Sequence, residues 1–493
     1  MKAIKMNTNQ IGDKKFNVLP IMIVLLLGGF ISLINETILN VALSKLMVEM
    51  HVTAGTVQWL ATGYMLVIAI LVPVTAFLIK TFTTKQLYIS AMLLFLVGTI
   101  LAGFSSSFSM LLISRMIQAS GTGMMIPLMT NTVFVINPPE KRGSAMGLCF
   151  LIILVAPAVG PIISGVLLQL YNWHFLFLML IPVAVIAIIA GYLFLENVTE
   201  LTKPKIDYLS IVLSSLGFCG ILYGISKIGE LESDIWGMII PFVIGIISLT
   251  FFVKRQLSLK EPMLELRAFK SPAFSIGVIL VMCSMMIIFS MNMILPLFFQ
   301  DALMVSPSTS ALALLPAGIV SALVTPVAGK LYDKIGAKVI VPLGFGIMVV
   351  ALTFLSRSSS TTAISIIIVI YCFVCLGTAL TMAPTQTNAL NSLSKENHAH
   401  GIAIMNTMQQ LSAAIGSSLF ISIMSANQIN YLKQVSNPSG ASEKISAVVS
   451  GFSHALVVAL IIIIFAFVLS LFLKGKGKQN AGLCQKIISS NSK

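Results

Sequence analysis

The chain has 493 residues, of which 57% are hydrophobic and 9% charged, with a formal net charge of +14 at pH 7. A water-soluble globular domain carries about 25% charged residues, so composition excludes that class and points to a protein embedded in lipid. The basic excess would suit a nucleic-acid partner only if it were gathered on one soluble face; here it is scattered between apolar runs, and no nucleic-acid partner is expected.

The polar, basic residues 1–17 form a short N-terminal segment. The apolar run after them is too long for a signal-peptide core, so it is expected to stay as the first span. Runs long enough to cross a bilayer fall at 18–43, 56–79, 87–104, 110–136, 145–170 and 175–195. Two more follow at 209–225 and 236–253, then six at 274–298, 311–331, 339–355, 363–383, 402–424 and 455–473. That makes about fourteen helices, an all-α membrane protein.

The first span holds Glu36, the one carboxylate that falls in no loop. A charge in hydrocarbon costs at least ~3 kcal/mol, so such residues face a polar interior. On a helix Ser32, Glu36 and Asn40 would share one polar stripe among Ile, Leu and Val. The fourth span opens Arg115-Met-Ile-Gln118-Ala-Ser-Gly121. Arg115 either snorkels to the headgroups or is a buried cation shaping a polar cavity with Gln118. The fifth span carries Ala156-Pro-Ala-Val-Gly160-Pro161-Ile-Ile-Ser164-Gly165. Small residues repeating at four permit close helix contact, and the prolines bend the helix.

The chain repeats itself. Pro127-Leu-Met-Thr130-Asn131 in the fourth span recurs as Pro384-Thr-Gln-Thr387-Asn388 in the twelfth, and the loop near 76–87 recurs near 329–340 at nearly the same offset. Six spans, two inserted spans and six related spans imply two halves around a site near the bilayer midplane, as in alternating-access transporters. The expected division is a six-helix bundle at 18–195, an inserted pair at 206–254, a second bundle at 274–473 and a tail at 474–493. Lysine and arginine lie on one side of this arrangement by about five to one, which places both termini in the cytoplasm.

In the second half, Gly329-Lys-Leu331-Tyr-Asp333-Lys-Ile-Gly336-Ala-Lys338 joins two spans. The glycines allow a tight turn, and Asp333 is expected just before the next helix start, where a carboxylate is favoured. Gly329, Asp333, Gly336 and Lys338 would then act as a conformational latch. Asn292, Gln386, Asn388, Asn406, Gln409 and Gln410 are polar groups within spans that line a path or bridge helices. Met282, Met285, Met286, Met291 and Met293 crowd the ninth span, where they serve packing or an adaptable pocket. His174, His398 and His400 fall at loops and are expected to be solvated. Cys149, Cys219, Cys283, Cys372 and Cys375 lie in apolar runs, where free cysteine behaves as a small hydrophobe, and no metal site is expected. No G-x-x-x-x-G-K-[ST] loop occurs, so ATP is not the energy source unless a partner supplies it.

The 329–338 loop resembles the G-x-L-x-D-x-x-G-x-K signature of the major facilitator superfamily. The first-half copy, Ala76-Phe-Leu78-Ile-Lys80-Thr-Phe-Thr83-Thr-Lys85, keeps only Leu78 and Lys85. The Arg115 stretch is similar to the superfamily's R-x-x-Q-G motif, with Ala119 for the glycine. Gly160, Pro161, Ser164 and Gly165 resemble the G-P-x-x-G-G signature of proton-driven exporters. Asn35-Glu-Thr37-Ile-Leu-Asn40-Val-Ala-Leu43 resembles L-D-x-T-I-V-N-V-A-L-P of the fourteen-span drug:proton antiporter family (QacA and EmrB type), and its glutamate resembles the lincomycin-exporter branch. Gln58, Trp59 and Tyr64 also fit that family's pattern.

The resemblance implies two six-helix bundles plus two inserted helices, fourteen in all. It also implies proton-coupled export of amphipathic, cationic or lipophilic drugs by a multi-pass protein of a bacterial plasma membrane. Glu36 would carry the proton with Arg115 beside it, while Ser32, Asn40, Gln58, Trp59, Tyr64 and Gln118 would line the cavity. The partners would be drugs, protons and the bilayer, the energy source the proton gradient without a cofactor, and the working unit a monomer. A narrower exporter of a lipid, peptide or metabolite fits the same architecture. A transport-inactive sensor or assembly partner is the alternative from another class. No cluster of catalytic residue types suggests an enzyme.

Overall fold

A computed structural model describes residues 8–11, 14–52, 54–198, 201, 207–226, 235–259, 262–435 and 440–473. The tail at 474–493 and the lysines at 203, 205, 227 and 260 lie outside the described residues. A short antiparallel hairpin, β1 (Thr8–Ile11) with β2 (Lys14–Asn17), pairs Thr8 with Asn17 and Ile11 with Lys14 ahead of the first helix.

The helices follow the apolar runs. In order they are α1 (Val18–Ile38), α2 (Leu43–Glu49), α3 (Ala54–Thr81), α4 (Thr84–Gly103), α5 (Phe108–Ile136) and α6 (Arg142–Leu170). Next come α7 (Phe175–Leu178), α8 (Leu180–Phe194), α9 (Tyr208–Ser226), α10 (Ile235–Ser258), α11 (Pro272–Asp301) and α12 (Pro307–Ala313). The last are α13 (Leu315–Ile335), α14 (Ala337–Leu355), α15 (Ile364–Asn391), α16 (His398–Gln434) and α17 (Ala441–Ser470). Among the described residues, thirteen helical segments are long and apolar enough to cross a membrane. The span expected at 402–424 lies in α16, which is more polar than the rest. Exposed side chains such as Ile186, Leu193, Ile247 and Phe251 form outward apolar faces of the kind a bilayer covers.

Several expected spans differ in detail. The first ends at Ile38 and passes through a 3₁₀ turn at Asn40–Ala42 before α2. The Thr37 hydroxyl explains the break: it donates to Pro157 O of α6 at 3.0 Å and approaches Ile34 O in its own preceding turn. Such back-bonding competes with the helix ladder and bends it. The sixth span is interrupted at Met179, and α17 begins at Ala441, well before the expected apolar core.

The helices fall into two compact units. The first runs to Cys219 and adds Gly245–Leu266 and Glu396–Thr407; the second holds Gly220–Ile244, Arg267–Lys395 and the chain from Met408. The division therefore passes through α9, α10 and α16.

In the first unit α5 is the most enclosed helix, buried without a break from Gly121 to Phe134. It packs closely on α4, because Gly121 faces Ala91 O and Gly98 faces Gln118 N and Ser114 O. Tyr88 of α4 then donates to Val24 O of α1 at 3.1 Å, with its ring against Gly28 and Gly191. In the second unit α14 meets α15 in the same manner, with Gly344 and Gly377 facing each other's backbone. Small residues let backbones approach where lipid provides no hydrophobic drive to associate.

Candidate functional site

The polar groups of the first unit converge on α1. Ser32 and Asn35 are fully buried there, and Glu36 is 8% exposed. Because α1 ends at Ile38, Asn40 leaves the helical line of Ser32 and Glu36, so the expected three-residue stripe is cut to two. The side chains of Asn40 and Gln58 lie outside the described residues.

A hydrogen-bond network surrounds this end of α1. Asn35 Nδ2 donates to Tyr64 OH at 3.3 Å, and that hydroxyl lies 2.7 Å from Thr122 Oγ1. Arg115 Nη1 donates to Asn35 O at 3.0 Å and to Gln118 Oε1 at 3.1 Å. Gln118 Nε2 in turn donates to Thr99 Oγ1 at 2.9 Å. The guanidinium carbon sits 4.0 Å over the Tyr64 ring, a cation–π contact.

Arg115 is therefore fully buried rather than snorkelling. Its Nε and Nη2 have no acceptor among the described residues. An unmet donor of this kind costs about 1–3 kcal/mol, more for a charged group. The Glu36 carboxylate, one residue along from the carbonyl Arg115 holds, takes no hydrogen bond or ion pair among the described residues. The Glu36 carboxyl and the Arg115 guanidinium thus share this end of α1 with no bond between them among the described residues. Asn35, Thr99 and Thr122 belong to the network although no motif marks the threonines. Asn35 stands where the resembling family has aspartate, and that was the available signal.

The remaining residues expected to line a cavity are distributed unevenly. Tyr64 and Gln118 join the Glu36 network, whereas Trp59 is 37% exposed. In the first unit Asn406 Nδ2 donates to Thr130 Oγ1 at 3.3 Å. In the second, Gln409 Nε2 donates to Gln386 Oε1 at 2.9 Å. Gln386 Nε2 and Asn388 Nδ2 are buried there without an acceptor among the described residues. Asn292 is exposed and accepts from Tyr371 OH at 3.1 Å. The ninth-span methionines divide likewise: Met285 and Met291 are buried, and Met293 is exposed.

Of the α6 signature residues, Gly160 lies against α1. A Cβ on Gly160 would meet Thr37 Oγ1, with Ile34 O at 3.0 Å and Ile38 N at 3.2 Å. Pro161 is half-buried and Ser164 fully buried, while Gly165 has nothing within 4 Å of such a Cβ. In the second-half loop, buried Gly329 lies within α13, and Gly336 adopts φ 77 between α13 and α14, a left-handed conformation that favours glycine. Asp333 lies in the last turn of α13 rather than ahead of a helix start, because α13 continues to Ile335. The helix dipole there disfavours a carboxylate, opposite to the expectation. Lys338 is exposed in the first turn of α14.

In the first-half copy, Thr83 caps α4 in a capping box with Gln86, and the Lys85 ammonium lies 4.3 Å from the Tyr192 ring centre. Lys80 Nζ is 2.6 Å from His400 Nε2. The expectation of solvated histidines is corrected here. His398 and His400 are each 4% exposed, with His398 edge-on to Phe134. His174 Nε2 bonds to Ser105 O at 3.0 Å and the ring stacks on Trp173. Packing at the foot of α16 encloses residues that a hydropathy reading leaves in a loop.

Comparison with known proteins agrees with this architecture. The Major Facilitator Superfamily profile matches residues 25–417. Lincomycin resistance protein LmrB of Bacillus subtilis (strain 168) is 44% identical over 472 residues, covering 95% of this chain and 98% of that one. The Multidrug resistance protein B homolog of Mycobacterium tuberculosis (strain ATCC 25618 / H37Rv) is 25% identical, covering 83% of this chain and 76% of that one. Among solved structures, the human organic anion transporter MFSD10 superposes with a TM-score of 0.63 at 11% identity, covering 92% of this chain and 99% of that one. The proton:xylose symporter XylE does so with a TM-score of 0.61 at 14% identity, covering 93% and 96%. These two likenesses bear on the fold alone.

Proposed function

This chain belongs to the Major Facilitator Superfamily, and on that premise we propose that it is a proton-coupled antiporter exporting drugs by alternating access. It is a multi-pass membrane transporter, not an enzyme. The exported compounds are amphipathic, cationic or lipophilic, and the proton gradient is the energy source. Both termini face the cytoplasm of a bacterium, and the chain works as a monomer.

The observation that carries this reading is the buried Glu36 carboxylate, without a bonded partner among the described residues, beside Arg115, whose Nε and Nη2 have no acceptor among them. Burying an ionised carboxylate without a partner is costly, so the charged and protonated forms favour different surroundings. A group that gains its proton on one side of the membrane and loses it on the other can bias two conformations, provided its proton affinity differs between them. Substrate entering the same polar region competes with the proton, which couples export to proton entry. The Asn35–Tyr64–Thr122 and Arg115–Gln118–Thr99 bonds hold the surrounding groups in register. Gly160 against Thr37 keeps α6 close to this end of α1. Gly329, Asp333, Gly336 and Lys338 form the conformational latch of the second half.

The test is efflux from cells carrying Glu36→Gln, measured before and after an uncoupler. Loss of the uncoupler-sensitive component is expected, with the protein still present in the membrane. Uncoupler-sensitive efflux equal to wild type would sink Glu36 as the coupling group. The similarity to proteins named for lincomycin resistance favours a narrower reading within the same class, an exporter centred on lincosamides. Growth of deletion and complemented cells on lincomycin, cationic dyes and unrelated lipophilic antibiotics separates the two ranges.

A further inference from the structure

A pocket of about 570 Å³ opens where the end of α14 meets the early turns of α17, at the opposite end of α14 from Gly336. Seven serines, Arg357, Val449 and His454 line it. Part of this polar wall is already bonded. Ser453 Oγ donates to Ser356 O at 2.8 Å, and Ser359 N donates to Thr362 Oγ1 at 2.9 Å. His454 Nδ1 is 2.8 Å from Ser450 O, and since a carbonyl only accepts, Nδ1 is the donor and the ring is spent on its own helix.

Two features remain unspent. Ser358 is 5% exposed, and its hydroxyl has no partner among the described residues. Arg357 is exposed at the mouth, and its guanidinium holds no hydrogen bond or ion pair among the described residues. No carboxylate is among the described lining residues; Glu443, one turn before Ser446 on α17, does not reach it. One cation and a wall of hydroxyl donors suit an anion with several acceptor oxygens, and a phosphate has that form.

The apolar surroundings narrow the source. On α17 the exposed Val457 (45%) and Ile461 (61%) follow His454 on the same helical face. On α14 the exposed Val350 (57%) and Phe354 (59%) lead toward Arg357. A free ion gains nothing from such stripes, whereas acyl chains do. We propose that this hydroxyl-lined pocket binds the phosphate headgroup of an anionic phospholipid, with Arg357 as its counter-charge and the two apolar stripes as the bed for its chains. A zwitterionic lipid is disfavoured because its cationic end would find no carboxylate in the pocket.

The test uses the full-length protein in detergent, titrated with dioleoylphosphatidylglycerol and followed by native mass spectrometry. Arg357→Gln should lose one retained lipid, with roughly tenfold weaker retention at that site, the size of one charge-assisted bond. Arg357→Lys should recover part of the loss. Ser360→Glu, at an exposed position lining the same pocket, should repel the lipid in the same way and guards against a fold defect in the first variant. Dioleoylphosphatidylcholine should show no difference between wild type and either variant. Equal phosphatidylglycerol retention by wild type, Arg357→Gln and Ser360→Glu would overturn the proposal. So would an equal loss of phosphatidylcholine. Millimolar inorganic phosphate raising the thermal midpoint of wild type over Arg357→Gln as much as the lipid does would also overturn it, assigning the pocket to a free anion.

Discussion

Gly160 and Gly165 belong to one motif on one helix, yet their surroundings oppose each other. A methyl group at Gly160 runs into Thr37 Oγ1 and the α1 backbone; at Gly165 it meets nothing within 4 Å. Replacing glycine by alanine inside a helix otherwise stabilises it by up to about 1 kcal/mol. Gly165→Ala should therefore leave the thermal midpoint in detergent unchanged or slightly raised. Gly160→Ala should lower it, since overpacking costs about 1–3 kcal/mol of stability, and should reduce efflux by moving α6 away from Thr37. Equal midpoints for the two variants would contradict the close α1–α6 approach. The motif could be read from sequence, but which glycine bears a neighbour could not, because that depends on a helix more than a hundred positions away.

The inserted pair shows how elements are joined. Arg255 near the end of α10 grips Asp207 before α9 through two bonds, Nε to Oδ2 at 2.8 Å and Nη2 to Oδ1 at 3.0 Å. Ser210 Oγ donates to Asp207 Oδ2 at 2.6 Å. Gln256 Nε2 donates to Ser210 Oγ at 2.6 Å, and Gln256 Oε1 accepts from Leu264 N at 3.0 Å. The forked bond from Arg255 holds the Asp207 carboxyl at about 2, below its usual 3.8. A carboxylate with a lowered folded-state pKa adds stability above its unfolded value and gives it up as pH falls through both values. The midpoint gap between wild type and Asp207→Asn should thus be present at neutral pH and close as pH drops from 3.8 toward about 2. A gap that persists at the acid end would mean that Asp207 acts through packing and not through its charge. Sequence placed both helices from their apolar length. It gave no sign that a residue before one would grip a residue at the end of the other.

At the scale of the whole molecule, repeated motifs on α5 and α15 accompany repeated glycine contacts of α4 with α5 and of α14 with α15. The proposed orientation is testable at the two ends of α14, where Lys338 and Ser360 are both exposed. With native cysteines replaced, Ser360→Cys should react with a membrane-impermeant maleimide on intact cells, and Lys338→Cys only after permeabilisation. The reverse pattern would overturn the cytoplasmic termini. The succession of apolar spans and the membrane setting were legible from composition and run length, because a bilayer admits only closed backbone structures of a fixed minimum length. The family was legible from short motifs for the same reason: close helix approach and tight turns admit few residue types. Tertiary structure decided the rest. It ended α1 at Ile38 through a hydroxyl bond to α6, and it buried His398 and His400 beneath neighbouring side chains. It also turned Arg115 inward to the carbonyl before Glu36. Each of these depends on a partner distant in sequence, and hydropathy and spacing record only what one stretch of chain prefers by itself.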